Sequence, residues 1–307
     1  MRYAATIALA LLANLASAQH FEEVSKSVGL EMITSFAENR EKFSSFACRG
    51  TVTVEKVTSF DEVFPTCTHF AVLENHAKRS ARSIYSIQDL YGDLQPPTFQ
   101  DVFRIKGKQT LVRPGGRFYP DEEYSEHVIK RYWLPKDPWS WSFIGCASLV
   151  TQLEDALLWM QVFREDKLLW VEDNGKLIRA EWDVGPRGRI QAYFDPGKGD
   201  MPVYCRIIIP INKEEKFGKK TRLAFNEIET EWAQHLDGWV PVKVRNYRES
   251  LDEKGKVSGS ETWNFSLDWN SKLMKAGVVI DDAFEIGKLE GSQILDSFSK
   301  GTSPKRD

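Results

Sequence analysis

Apolar and polar residues alternate with a period of two along much of this chain. In Thr51-Val52-Thr53-Val54-Glu55 and in Trp263-Asn264-Phe265-Ser266-Leu267-Asp268-Trp269 every second residue is apolar. That pattern predicts strands with one buried face. Further strand-like runs occur at 69–73, 82–87, 102–105, 110–112, 118–119, 168–171, 177–182, 189–194, 203–209, 222–232 and 239–247, making about a dozen strand segments. Lys106-Gly107-Lys108, Pro114-Gly115-Gly116 and Asn174-Gly175 supply turns between them. Two stretches have helical spacing instead. Val24, Val28, Ile33, Phe36, Ala37 and Phe43 fall near one stripe and predict an amphipathic helix over 22–43, with Glu22 and Glu23 in its first turn. Leu149, Val150, Leu153, Ala156, Leu157 and Met160 predict a second helix over 147–160.

Many strands joined by short turns, with few helices between them, argue for one large antiparallel sheet over βαβ units. The chain has 307 residues and no linker that divides it. Its first eighteen residues differ from the rest. Arg2 is the only charge before Glu22, Ala4 to Leu15 is almost wholly apolar, and Ala16-Ser17-Ala18 is a small-x-small cleavage signal. This pattern predicts a signal peptide over 1–18 and export to a periplasm or the outside. The apolar run is too short for a membrane-spanning helix, so no transmembrane segment is expected. Residues 19–286 are expected to form a single domain. The Gly-, Ser- and Lys-rich stretch 287–307 is expected to be a flexible tail.

Composition narrows the function classes. The chain is 42% hydrophobic and 28% charged, enough to build a core. Its net charge of -3 gives no basic face for nucleic acid. The four cysteines, Cys48, Cys67, Cys146 and Cys205, form no CxxC. They are either four small buried residues or disulfide partners in an oxidising compartment. Cys48 with Cys67 is the first pairing to test, because both lie near the first two strands.

Catalytic motifs are absent: there is no H-E-x-x-H, P-loop or G-x-S-x-G. No enzymatic activity, cofactor or metal is expected. Cys67-x-His69 with His76 could seed a metal site, but lacks a second ligand cluster. Glu122, Glu123, Glu126 and His127 could supply paired carboxylates for glycoside cleavage, although so charged a run suits a solvated surface. The aromatic stretch Trp133, Trp139, Trp141 and Phe143 beside the second helix either fills core or lines an apolar cavity. If it lines a cavity, the ligand-binding residues are Trp139, Trp141, Phe143, Leu149, Leu153 and Leu157.

Several short stretches carry a family resemblance. They are Asp195-Pro196-Gly197-Lys198-Gly199-Asp200-Met201-Pro202, Gly238-Trp239-Val240-Pro241, Asp282-Ala283-Phe284 and Gly291-Ser292-Gln293-Ile294-Leu295-Asp296. With the order of elements, they resemble the LolA/LolB-like superfamily of lipoprotein localisation factors in the bacterial envelope, as a divergent member. The resemblance implies a mainly β (α+β) fold: a large curved antiparallel sheet forming an incomplete barrel. The N-terminal and mid-chain helices would pack on its concave face. It further implies an exported, non-enzymatic protein that holds a lipid, an acylated protein or another apolar ligand and touches the envelope membrane transiently. An envelope scaffold with a filled core is the alternative, and a hydrolase of envelope polymers ranks below it.

Overall fold

The computed structural model describes residues 20–56, 66–88, 98–105, 108–113, 117–120, 138–139, 163–183, 188–208, 222–251, 257–285 and 287–298. Fourteen strands join in one sheet. They are β1 (Glu22–Glu23), β2 (Ser45–Lys56), β3 (Thr66–Asn75), β4 (Ser80–Gln88), β5 (Thr98–Ile105), β6 (Lys108–Arg113) and β7 (Arg117–Pro120), then β8 (Leu168–Asp173), β9 (Ile178–Asp183), β10 (Arg189–Asp195), β11 (Met201–Ile208), β12 (Arg222–His235), β13 (Gly238–Leu251) and β14 (Val257–Asp268). Two meanders, β2 to β7 and β8 to β14, are spliced where β14 pairs with β2, Phe265 opposite Val52. Every neighbouring pair is antiparallel. The end strands β1 and β7 do not pair, so the curved sheet is an open, incomplete barrel.

Helix α1 (Lys26–Glu41) lies across the concave face. Gly29, Met32, Ile33, Phe36, Asn39 and Arg40 are its buried residues, at helical spacing. Its N-terminal half sits on β8 and β9, where a Cβ on Gly29 would lie 2.7 Å from Val171 and 3.6 Å from Ala180. At its other end Phe36 packs edge-on against Trp232 of β12, and the Asn39 amide bonds the Trp239 backbone of β13. Sixteen residues of helix span about 24 Å, which matches about five strand spacings. The helix starts later than its apolar stripe predicts. Ser25 caps it, and Glu22 and Glu23 form β1 against β8 instead of a first helical turn. The expected mid-chain helix over 147–160 and the signal peptide over 1–18 lie outside the described residues.

The hairpins follow their turn chemistry. Asn174 Oδ1 accepts from Lys176 N and Leu177 N, with Gly175 at φ +78. Asp195 accepts from Gly197 N and Gly199 is left-handed, which turns β10 into β11. Pro241 lies in a central strand, not at an edge, and is tolerated because β13 bulges beside it, with Val242 the extra residue against Glu231 and Trp232.

Two buried layers result. The larger covers the concave face under α1. The smaller lies on the convex face of β2 to β5, where Ala47, Ala71, Leu73 and Ile84 meet Leu273, Ala283, Ile294 and Phe298 of the C-terminal segment. Residues 287–298 are therefore not a flexible tail. They include helix α2 (Gly291–Asp296), closed by a Glu290–Gln293 capping box, with Ile294 fully buried. A buried ion pair clamps this segment. Arg82 donates to both carboxylate oxygens of Asp101, at 2.8 and 2.5 Å, and also to the carbonyls of Ala283 and Leu289.

Candidate binding face

Each long strand presents its inward residues to the concave face, so the register states which side chains lie side by side. Near the turn of the β12–β13 hairpin, an aromatic group closes one end of the face. Trp139 stands 4.9 Å from Trp269, 5.1 Å from Phe43 and 5.4 Å from Phe46, centroid to centroid. The Arg40 guanidinium caps the Trp139 ring at 4.6 Å and donates to the Phe43 carbonyl. Trp139 is 1% exposed, so protein surrounds the ring on all sides. Of the six residues expected to line a ligand cavity, it is the one the structure describes, and it packs as core. Trp141, Phe143, Leu149, Leu153 and Leu157 lie outside the described residues, as do Trp133 and the acidic run 122–127.

Next to this group lies an open polar cleft of about 450 Å³. Ser35 and Glu38 of α1, with Lys42 just past its end, form one wall, and the Gly199–Asp200 turn and the Gln234–Trp239 hairpin form the other. Asn39 at its floor is fully engaged: its Nδ2 donates to the Trp239 carbonyl at 2.8 Å and its Oδ1 accepts from Trp239 N at 2.7 Å.

About 30 Å along β12 from that turn, the concave face changes character. The register sets Trp182, Ile190, Ile207, Asn226, Arg248 and Glu261 side by side in one row across six strands, β9 to β14. The adjacent row runs Ala192, Cys205, Ile228, Asn246, Trp263 and Val54. The first row is apolar on β9 to β11 and polar on β12 to β14, whereas the second is apolar except at Asn246. Asn246 is 0% exposed, and neither atom of its amide has a hydrogen-bond partner. Asn226 Oδ1 and Trp182 Nε1 are likewise buried without a partner. Each such group costs about 1–3 kcal/mol. Trp263 Nε1 donates to Glu261 Oε2 at 3.3 Å.

Strict alternation makes both asparagines legible. In Asn226-Glu227-Ile228-Glu229-Thr230-Glu231-Trp232 the glutamates point outward, which sends Asn226 inward with Ile228 and Trp232. The same phase aligns Asn246 with Val240, Val242 and Val244. A lone asparagine in a strand matches no catalytic motif, so neither stands out from its neighbours in the sequence.

Two of the cysteines are inert. Cys48 and Cys205 are free thiols in the core, and burial pushes both up, so they stay protonated at neutral pH. The Cys48–Cys67 pairing is excluded by register. Cys48 lies opposite Val72, which places Cys67 five residues further along β3, about 17 Å away and beyond disulfide reach. Cys67, His69 and His76 do not converge either. His69 lies within β3 and His76 beyond its far end, about 23 Å apart. Among the described residues no three His, Cys, Asp or Glu side chains gather as a metal-binding group. No helix among them is long and apolar enough to cross a membrane.

No protein-family model matches this chain. No curated protein sequence matches it. Among solved structures, it is similar to a DUF1329 family protein from Desulfovibrio piger, at 9% identity over 85% of this chain and 98% of that one, with a TM-score of 0.41.

Proposed function

We propose that this chain is an exported, non-enzymatic binding protein that holds a lipid, a lipoprotein acyl chain or another apolar ligand within its curved sheet. The observation that carries this reading is the extent of the apolar concave surface. Helix α1 reaches across β8 to β13, about 24 Å. The apolar lining runs on past it through Trp263 and Phe265 of β14, Val52 of β2 and Phe70 and Val72 of β3. These residues are 4% exposed or less, so the apolar interior extends past the helix, and such an interior suits an acyl chain, for which each buried methylene contributes about 0.8 kcal/mol without any polar contact. The sequence resemblance to the LolA/LolB-like superfamily agrees with this reading, as does the signal peptide expected over 1–18.

A second reading, an envelope scaffold with a filled core, is favoured by Trp139. Its ring is enclosed by Phe43, Phe46 and Trp269, with no space left for a ligand. Native mass spectrometry of protein taken from its own envelope, with solvent extraction of the same sample, separates the two. A reproducible adduct that extracts as one lipid class is the expected result. A clean apo mass with no uptake of added acyl lipid would overturn the binding reading in favour of the scaffold.

A further inference from the structure

The open cleft between α1 and the β12–β13 hairpin presents polar groups that the protein does not match internally. On the outer face of the sheet carboxylates are paired off, as Glu172 is with Arg179, Glu229 with Arg245 and Glu231 with Lys243. At the cleft, the Glu38, Asp200 and Asp237 carboxylates and the Gln234 amide make no ion pair or side-chain hydrogen bond with a described residue. Donors are unmatched as well. Trp239 Nε1 donates to no described residue, whereas the indole N–H groups of Trp232 and Trp269 donate to the carbonyls of Pro202 and Pro241. Its edge lies against the Gly199 turn, where a Cβ would stand 2.8 Å from Nε1. The Lys42 ammonium gives one bond, at 3.3 Å, to the Asp237 carbonyl, and its other N–H groups are open. The hairpin tip adds an apolar group. Leu236 lies at φ +51 and is 66% exposed. A bulky side chain is strained in this left-handed region. It occupies the first central position of a two-residue turn, where glycine is the usual residue. No burial within the chain offsets that strain.

We propose that this cleft binds a neutral saccharide, held between the α1 wall and the hairpin wall. The site is separate from the apolar interior and does not depend on the reading above. Its volume of about 450 Å³ suits a small molecule. A sugar hydroxyl both donates and accepts, so a polyol matches the carboxylates and the Trp239 and Lys42 N–H groups together. An organic cation donates only and leaves those N–H groups unmatched. An anion accepts only and meets the Glu38, Asp200 and Asp237 charges against that of Lys42 alone. Leu236 and the half-buried Trp239 ring offer apolar surface at the rim for the C–H groups of a sugar ring.

The test is a titration of the full chain, carrying isotopically labelled tryptophan, with maltose, cellobiose and N,N′-diacetylchitobiose, read by NMR at the indole N–H signals. The Trp239 signal, assigned by its loss in Trp239→Phe, should shift with at least one of these disaccharides, with a Kd in the millimolar range that suits an open, wet site. Trp239→Phe and Leu236→Gly, followed through the ligand signals, should each weaken binding about tenfold. Leu236→Gly should also raise the melting temperature, because glycine accepts the positive φ without strain. Unchanged saccharide affinity in Leu236→Gly would overturn the proposal, since a purely structural leucine alters stability alone. So would the absence of any shift at tens of millimolar disaccharide. Choline serves as the cation control: tighter binding of choline than of any disaccharide, lost in Glu38→Gln, would make the cleft a cation site instead. Acyl-lipid uptake by the same variants, read by native mass spectrometry, should match the wild type, so failure here leaves the apolar-ligand reading intact.

Discussion

His235 ends β12 with its ring stacked on Phe43 at 6.5 Å and tilted against Trp269 at 6.3 Å. Burial there holds its pKa below the ordinary 6.5, and Asp268 only partly offsets the effect. The folded state therefore binds the proton less readily than the unfolded state. Its contribution to stability is complete above pH 6.5 and is lost as pH falls through the depressed folded value. We expect the melting temperature to drop between neutral pH and about pH 5, and His235→Phe to flatten that drop. Identical slopes for the two proteins in a thermal-shift series would remove His235 from the account. Residues of this kind were half legible. The alternation of 263–269 correctly put Trp263, Phe265, Leu267 and Trp269 inside. Nothing in it announced that Trp139, distant in sequence, would complete their cluster.

Elements follow their local patterns closely, and the exceptions have steric causes. Gly29 shows this best. In an exposed helix Gly→Ala gains about 0.5–1 kcal/mol. Here the added Cβ would stand 2.7 Å from a methyl of Val171, a fully buried strand residue, and 3.2 Å from Leu168. Overpacking of that kind costs about 1–3 kcal/mol, so the clash outweighs the propensity. Gly29→Ala should lower the melting temperature, and Gly29→Val should lower it further. A stabilised Gly29→Ala protein in chemical denaturation would show that α1 stands off the sheet. The helix itself was visible as an apolar stripe, but its first residue was not. Glu22 and Glu23 suit a helix dipole, yet the backbone of β8 offered them pairing that a helix could not use.

At the scale of the whole molecule, a buried charge pair helps to hold the C-terminal segment, beside its apolar layer and the Arg49 bond to the Leu295 carbonyl. Removing one partner of such a pair leaves the other charge uncompensated, at a cost of about 3–5 kcal/mol. Arg82→Ala should therefore lower stability by about that much, and hydrogen exchange across 281–298 should quicken before the sheet opens. A loss of stability with unchanged protection of 281–298 would mean that Arg82 serves β4 and β5 alone. The need for this second cover was present in the sequence. Phe70-Ala71-Val72-Leu73 is apolar without alternation and is buried at every position, as in a strand covered on both faces. What covers its convex face was not legible, because a Gly- and Ser-rich stretch carries no periodic signal.

The sequence by itself determined the local facts: where strands run, which residues of each face inward, and where the chain turns. Side-chain alternation and turn chemistry act over two to four residues, and so they can be read in a single segment. Only the tertiary structure decided the long-range facts. These are the splice of β14 to β2, the docking of 271–298 on the convex face, the separation of Cys48 from Cys67, and the row that leaves Asn246 without a partner. Each depends on which strands lie side by side, and that is settled by the packing of the whole sheet between its two covers.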